Sequence, residues 1–199
     1  MGSPAEAREH DLALAQRAAN GERVAQRNLF DAQRVGVHHA LFRILGSNRD
    51  LEDLIQDAFL EIFRCLASYR GDSSLARWCQ TIATRTAYLA IGRRKPASIE
   101  LSVVEETVAN DADTRRHAQM RQAARQLYLA LDRIEPKQRI AFALATIDGR
   151  SLAEVAQLTD SSIVAVKTRV WRARRELMRR AAKDPVLTSY LEELAGGAR

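Results

Sequence analysis

The sequence predicts an all-α protein: two small helical domains joined by a flexible linker, the C-terminal one containing a helix-turn-helix. Three observations predict it. Gly and Pro number only 9 and 4 in 199 residues, while helix-favouring Ala, Leu, Arg and Glu abound. Apolar residues recur at helical spacing along two long tracts. Between those tracts the stretch "KPASIELSVVEETVANDADT" has no helical period, begins with a Lys-Pro pair and is acidic, which reads as a linker. The expected boundaries are residues 10–95 and 116–183 for the domains, 96–115 for the linker and 184–199 for a C-terminal tail.

The elements follow in order. A first helix is expected from about Asp11 to Ala19, broken near "NGE", and a second from about Arg23 to Leu45, stopped by "GSNRD". Asp50 stands where an N-cap is needed for a third, "LEDLIQDAFLEIFRCLASY", whose core stripe is Leu51, Ile55, Ala58, Ile62 and Cys65. The turn "YRGDSS" leads into a fourth, "LARWCQTIATRTAYLAIGRR", with the core stripe Leu75, Cys79, Ile82, Thr86 and Leu89 and with Trp78 beside it. After the linker the pattern resumes near Arg115 and runs through "MRQAARQLYLALDRI". Pro136 opens a further helix that ends at Gly149, because proline is tolerated in a first turn. Ser151 and Glu154 have capping-box spacing ahead of a short helix, "LAEVAQL". Four residues, "TDSS", then lead into "IVAVKTRVWRARREL". The tail "PVLTSYLEELAGG" has the spacing of one more short amphipathic helix.

Charge is unevenly spread. Residues 1–95 carry 14 basic and 11 acidic side chains, residues 96–115 carry 1 and 5, and residues 116–199 carry 16 and 9. A basic C-terminal part is the electrostatic footprint of a protein that meets a polyanion such as nucleic acid. No apolar run approaches a membrane span, and the N-terminus has no apolar signal segment. Membrane insertion is therefore not expected. The two cysteines, Cys65 and Cys79, lie on helical core stripes without a CxxC spacing, and read as small buried residues of a cytoplasmic protein. No nucleophile–base pair, metal-ligand cluster or phosphate-cradling Gly loop stands out. Neither a catalytic role, a metal nor a cofactor is expected.

The segment Ser161–Leu177 carries most of the functional argument. At 100° per residue, Ile163, Val166, Val170, Ala173 and Leu177 form one stripe, and Thr168, Arg172, Arg175 and Arg179 the opposite one, with Trp171 flanking the apolar side. An ordinary surface helix with a solvated basic side would share that pattern. The preceding short helix and tight turn favour a helix-turn-helix, whose second helix enters the major groove. In the N-terminal half, Asp53, Gln56, Asp57, Leu60 and Arg64 share the outer face of the third helix. Arg77, Thr81, Thr84, Tyr88 and Ile91 share that of the fourth, where an Arg beside an aromatic suits single-stranded DNA. One exposed Leu or Tyr is by itself ordinary.

The order of these pieces is more specific than any one of them. "DLIQDAF", "YRGDSSLARW" and "VKTRVWRARREL", set in two helical tracts around a linker, resemble the extracytoplasmic-function (ECF) sigma factors of bacterial RNA polymerase. The resemblance covers about residues 10–95 and 116–180. It implies a transcription initiation factor, not an enzyme, with region 2 and region 4 domains. Its partners would be core RNA polymerase and promoter DNA, and the family admits an anti-sigma factor as a third. By position, Asp53, Leu54, Gln56, Asp57 and Leu60 would meet the polymerase clamp helices. Arg70, Gly71, Asp72, Ser73, Ser74, Arg77, Thr81, Thr84 and Tyr88 would capture the melted -10 element. Ser162, Ala165, Lys167, Thr168, Arg169, Arg172 and Arg175 would meet the -35 duplex. The chain departs from the family pattern at Asp160, where Gly is usual, at Thr84, Arg85 and Leu89 on the fourth helix, and at "IVAVK". A helix-turn-helix regulator that binds duplex DNA without polymerase is the alternative.

Overall fold

The computed structural model describes residues 3–46, 50–93, 111–182 and 184–196. Within them the chain forms α1 (Pro4–Ala19), α2 (Arg23–Leu45), α3 (Leu51–Cys65), α4 (Leu75–Arg93), α5 (Asp111–Leu131), α6 (Pro136–Phe142), α7 (Leu152–Leu158), α8 (Ile163–Ala181) and α9 (Pro185–Gly196), with no strand among the described residues. The all-α fold expected from composition and period is the fold observed.

Several boundaries differ, each for a local reason. Helix α1 starts at Pro4 and not near Asp11, because Ser3 and Glu6 close a capping box around Pro4 in the first turn. The expected third helix ends at Cys65 and tightens into a 3-10 turn, Leu66–Ser68. Helix α5 begins at Asp111, so residues 111–115 of the expected linker are helical, and its residues 96–110 lie outside the described ones. The segment opened by Pro136 loosens after Phe142 into a π-helical turn, Ala143–Ile147.

The N-terminal half packs α4 against α2 and α3, with α1 across α2. Leu29, Val37, Leu41, Ile44, Ala58, Ile62, Leu75 and Cys79 are fully buried there. The Cys79 thiol, desolvated by that packing, has its pKa pushed up to about 12, consistent with a core residue. Helix α1 also reaches α4: the Asp11 carboxylate accepts from the Leu75 backbone N–H at 2.8 Å, satisfying an orphan donor of the first turn. Gly71, in the turn before α4, has φ +71°, and a Cβ there would press on Arg8 and Leu12.

In the C-terminal half α8 crosses α6 and α7, and α9 covers α5. Val166, Ala173 and Leu177 are buried as expected, whereas Ile163 is 52% exposed: burial along α8 begins one turn later, at Val166. Leu187 and Leu191 of α9 fill a cluster with Leu127, Leu131, Phe142 and Leu177, which makes the tail part of the fold.

The two halves are not apart. One apolar cluster runs from Leu41, Ile44, Ile82, Ala83 and Ala87 into Ile140, Leu144, Val155, Leu158 and Val166. This second packing surface rotates the buried arc of α4 towards Thr84, which is 2% exposed, and leaves Leu89 53% exposed. The expected core stripe of α4 was therefore right for Leu75, Cys79 and Ile82 and wrong for Leu89.

The capping box of α7 gives a direct test of local stability. The Ser151 hydroxyl accepts from the Glu154 N–H at 3.2 Å, and the Glu154 carboxylate accepts from the Ser151 N–H at 3.0 Å. Ser151→Ala should cost about 1 kcal/mol at neutral pH, measured by denaturant unfolding. The Ser151 hydroxyl bond holds the Glu154 carboxyl below its ordinary pKa. That contribution is complete above the unfolded carboxylate pKa and is lost as pH falls through the folded one. The gap between wild type and variant should therefore narrow in acid.

Candidate functional site

On α3, Asp53, Gln56, Asp57 and Leu60 are exposed and share one side of the helix, Leu60 being 56% exposed. Leu54 is 4% exposed and belongs to the core, so of the five residues expected to face a partner it supports the helix from beneath. Beside Leu60 lies a feature the sequence did not announce. Phe30 of α2, with Ile55, Phe59 and Phe63 of α3, lines a groove of about 400 Å³ that Leu60, Gln56 and Glu52 edge. The Phe30 and Phe59 rings lie 4.6 Å apart, between centroids, and Phe30 remains 37% exposed. An open apolar groove rimmed by a carboxylate, Glu52, and an amide, Gln56, suits a helix that brings a few apolar and basic side chains.

The turn before α4 is built from within. The Tyr69 hydroxyl donates to the Ser73 carbonyl at 2.7 Å, and its ring packs 5.5 Å from Trp78. Burial pushes the Tyr69 phenol up to about 12. The Ser74 hydroxyl accepts from the Arg77 N–H at 3.3 Å, which gives Ser74 a capping task. Gly71 is buried, while Arg70, Asp72 and Ser74 are exposed and Ser73 is half-buried.

Along α4 the expected outer face meets the other half of the chain. Arg77 donates to the Gln157 side chain of α7. Arg85 pairs with Asp160, in the turn after α7, at 3.1 Å. Lys137 of α6 sits over the Tyr88 ring, 5.7 Å from its centroid. Thr84 is buried and its hydroxyl donates to the Gln80 carbonyl at 2.8 Å, while Thr81 is half-buried and bonds the Arg77 carbonyl in the same way at 3.0 Å. A cavity of about 450 Å³ remains between Thr84, Arg85 and Tyr88 on one side and Lys137, Leu158, Asp160 and Arg169 on the other. The structure thus brings Arg77, Thr84 and Tyr88 together, but under a cover.

The helix-turn-helix is α7, the turn Thr159–Ser162 and α8. Asp160 takes φ +47°, the left-handed position where glycine is usual and where an Asp side chain is tolerated. The Ser162 hydroxyl caps α8 by accepting from the Ala165 N–H at 3.2 Å. Lys167, Thr168, Arg172 and Arg175 are exposed, and Ala165 is half-buried. Arg169 is different: half-buried, it donates to the Ser161 hydroxyl at 3.1 Å and lines the cavity towards α4. Arg179 is held by Glu176 at 2.6 and 3.0 Å, a pairing that pulls the Glu176 carboxyl down to about 2 and compensates much of the Arg179 charge. The exposed face also carries Val164, 74% exposed, and Trp171, 58% exposed, with the Arg175 guanidinium 5.4 Å from the Trp171 ring centroid. Helical projection places Val164, Thr168, Trp171 and Arg175 on one outward strip. Sequence reading had left Val164 and Trp171 out because apolar side chains are assigned to a core by default.

Comparison with known proteins agrees with this geometry. Residues 29–96 match the family Sigma-70 region 2, and residues 124–177 match Sigma-70, region 4. The ECF RNA polymerase sigma-E factor of Escherichia coli (strain K12) is 28% identical over 176 residues, covering 82% of this chain and 90% of that protein. The sigma-E factor of Haemophilus influenzae is 29% identical over 173 residues, covering 82% and 91%. Among solved structures, CnrH in complex with the cytosolic domain of CnrY aligns with a TM-score of 0.58 at 22% identity, covering 87% of this chain and 98% of that one. The sigma factor RpoE bound to the anti-sigma factor NepR from Bartonella quintana aligns at 0.50 and 20%, covering 79% and 97%. These likenesses take in both halves of the fold, the α3 face and the helix-turn-helix alike. The chain belongs to the ECF sigma factors, transcription initiation factors that bind core RNA polymerase and direct it to promoters.

Proposed function

We propose that the apolar groove beside Leu60 is where this chain holds core polymerase, and that α4 and α8 divide promoter recognition between them. The groove is the observation that carries the reading: a regulator acting on duplex DNA alone has no need of an open apolar slot on α3. Glu52 and Gln56 supply its polar rim, and Asp53 and Asp57 are exposed on the same helix beside it. Residues 10–95 then act as region 2, residues 116–183 as region 4, and residues 184–199 as a tail that completes region 4 through α9. Arg70, Asp72 and Ser73 offer the first contacts to the melted -10 strand, with Arg77, Thr81, Thr84 and Tyr88 along α4 behind them. Gly71 and Ser74 shape the turn. The chain works without catalysis of its own, in the cytoplasm where polymerase and DNA are. An anti-sigma factor is a fitting further partner, since the structural neighbours RpoE and NepR form such a pair.

Transcription in vitro by core polymerase, with and without this protein, tests the function itself. Initiation from a cognate promoter should appear only with the protein present. Leu60→Asp combined with Gln56→Ala should weaken core binding by tenfold or more in a titration, with an unchanged thermal melt, because both side chains are exposed. Affinity equal to wild type would remove the groove from the interface.

On α8, phosphate contacts set affinity and base-edge contacts set choice. Arg175→Ala should weaken binding to all -35 variants alike and lower the salt slope by about one. Arg179→Ala should do so less, since Glu176 already compensates that charge. Thr168→Ala and Lys167→Ala should instead reorder -35 variants by about 1–3 kcal/mol. Val164, exposed on the same face, would touch a thymine methyl, so replacing -35 thymines by deoxyuridine should weaken wild-type binding and leave Val164→Ala nearly unaffected. Binding measured across such a promoter panel at several salt concentrations checks all four.

A further inference from the structure

The cavity between α4 and the C-terminal half has the make-up of a ligand site. Its volume, about 450 Å³, lies in the range of sites for small organic molecules. Its depth is apolar: Ile140 and Leu158 line it and are 2% and 1% exposed. Its walls carry three cations from three helices, Arg85 of α4, Lys137 of α6 and Arg169 of α8. Asp160 is the one carboxylate of the lining, and it is paired with Arg85 at 3.1 Å on the exposed rim. Among the described residues no carboxylate lies within ion-pair distance of Lys137 or Arg169. Arg169 gives one N–H to the Ser161 hydroxyl and keeps the rest of its guanidinium fork. The frame is held by a polar latch. Arg139, next to Ile140 and 1% exposed, donates to the carbonyls of Ile44 and Leu45, both at 3.0 Å, in the last turn of α2, which has no helical donors for them. The Tyr128 hydroxyl of α5 donates to the Arg43 carbonyl at 2.9 Å. The latch sets α6 beside α4, so the cavity stands formed before a ligand arrives, and preorganisation lowers the cost of binding.

We propose that this cavity binds a free nucleotide with a di- or triphosphate, its phosphates between the Lys137 ammonium and the Arg169 guanidinium and its base on the Tyr88 ring. A bare phosphate would leave the apolar depth and most of the volume empty. An uncharged apolar molecule would leave the two cations without a counter-charge. A nucleotide answers both, because guanidinium and ammonium groups pair with phosphate oxygens and a base stacks on an aromatic face. Tyr88 is 37% exposed, and Lys137 lies 5.7 Å from its ring centroid, so the stacking surface and a phosphate-binding charge meet on one wall. The lining comes from both halves of the chain. A bound nucleotide is therefore a tie between them, and its concentration enters their separation by mass action. The site does not depend on the -10 assignment: Lys137 and Arg85 stand outside that set.

The test uses the full chain free of polymerase and DNA. ADP, GDP, CDP, UDP and inorganic pyrophosphate are titrated into it by calorimetry. At least one of the four nucleotides should bind saturably, one per chain, and raise the melting temperature as its concentration rises. Pyrophosphate should bind roughly tenfold more weakly or worse, and the matching nucleoside not measurably. Lys137→Met, at an exposed side chain, should weaken the nucleotide by roughly tenfold or more. Should it fail to fold by circular dichroism, Arg85→Gln takes its place. Tyr88→Leu should weaken the nucleotide and leave pyrophosphate unchanged. Arg27→Ala, exposed on α2 and outside the lining, should change neither. No saturable binding by any of the four at about 1 mM overturns the proposal. Equal losses in Lys137→Met and Arg27→Ala assign the binding to general positive charge and overturn the cavity. Pyrophosphate as tight as the best nucleotide, with Tyr88→Leu without effect, overturns the nucleotide. Transcription with core polymerase is read separately, so none of these failures is a failure of the promoter-directing function.

Discussion

The guanidinium of Arg139 against the last turn of α2 is the constraint on which the arrangement of the two halves depends. A cation buried to this degree is stable only with its hydrogen-bonding capacity engaged. Here the partners include two carbonyls with no helical donor and the carboxylate of Asp132, in the same half as the arginine. Removing one member of such a buried charged set typically costs about 3–5 kcal/mol, whereas the exposed Arg85–Asp160 pair is worth at most about 1 kcal/mol. The rim contacts therefore follow the latch and do not set it. Ile140, adjacent in sequence to Arg139, enters the apolar cluster that α2 and α4 share with α7 and α8, so burial and the polar latch act at one place.

Around that constraint the functional surfaces fall into two kinds. The α3 groove and the outward strip of α8 are open in the structure as it stands. The α4 face is closed. Open apolar surface at Leu60, Phe30, Val164 and Trp171 is costly to leave in water, and the partners proposed above would cover it. The same logic explains why the rims of both open surfaces are charged: acidic and amide groups beside the groove, basic groups beside Trp171. In the function proposed above, opposite rims direct one surface to protein and the other to nucleic acid.

Much of this was legible in the chain. The helix periods, the Ser151–Glu154 box, the Ser162 cap and the Asp160 turn are local, and local chemistry fixes them within one or two turns of helix. The start of α1 was equally legible in "SPAE", where Ser, Pro and Glu hold capping-box positions, but a polar helix with little apolar period draws no attention. Leu54 shows the opposite case. Family position assigned it to a partner, while its burial makes it core, since a residue beneath an exposed face supports that face without reaching it.

By itself, the sequence determined the all-α class, the two helical tracts, the helix-turn-helix, the exposed Leu60 and the basic strip of α8, because each depends on residues within a few turns of one another. Only the tertiary structure decided what those tracts do together. Nothing in the period of α4 distinguishes a face turned to solvent from one turned to another half of the chain, so Thr84 and Leu89 exchanged their expected places. Nothing in "KQRIAF" marks Arg139 as buried, since its partners, the carbonyls of Ile44 and Leu45, are backbone groups about ninety-five residues away that every sequence possesses. Side-chain patterns report which faces are apolar. Which helix end lacks a donor, and which distant cation fills it, is a property of the folded chain alone.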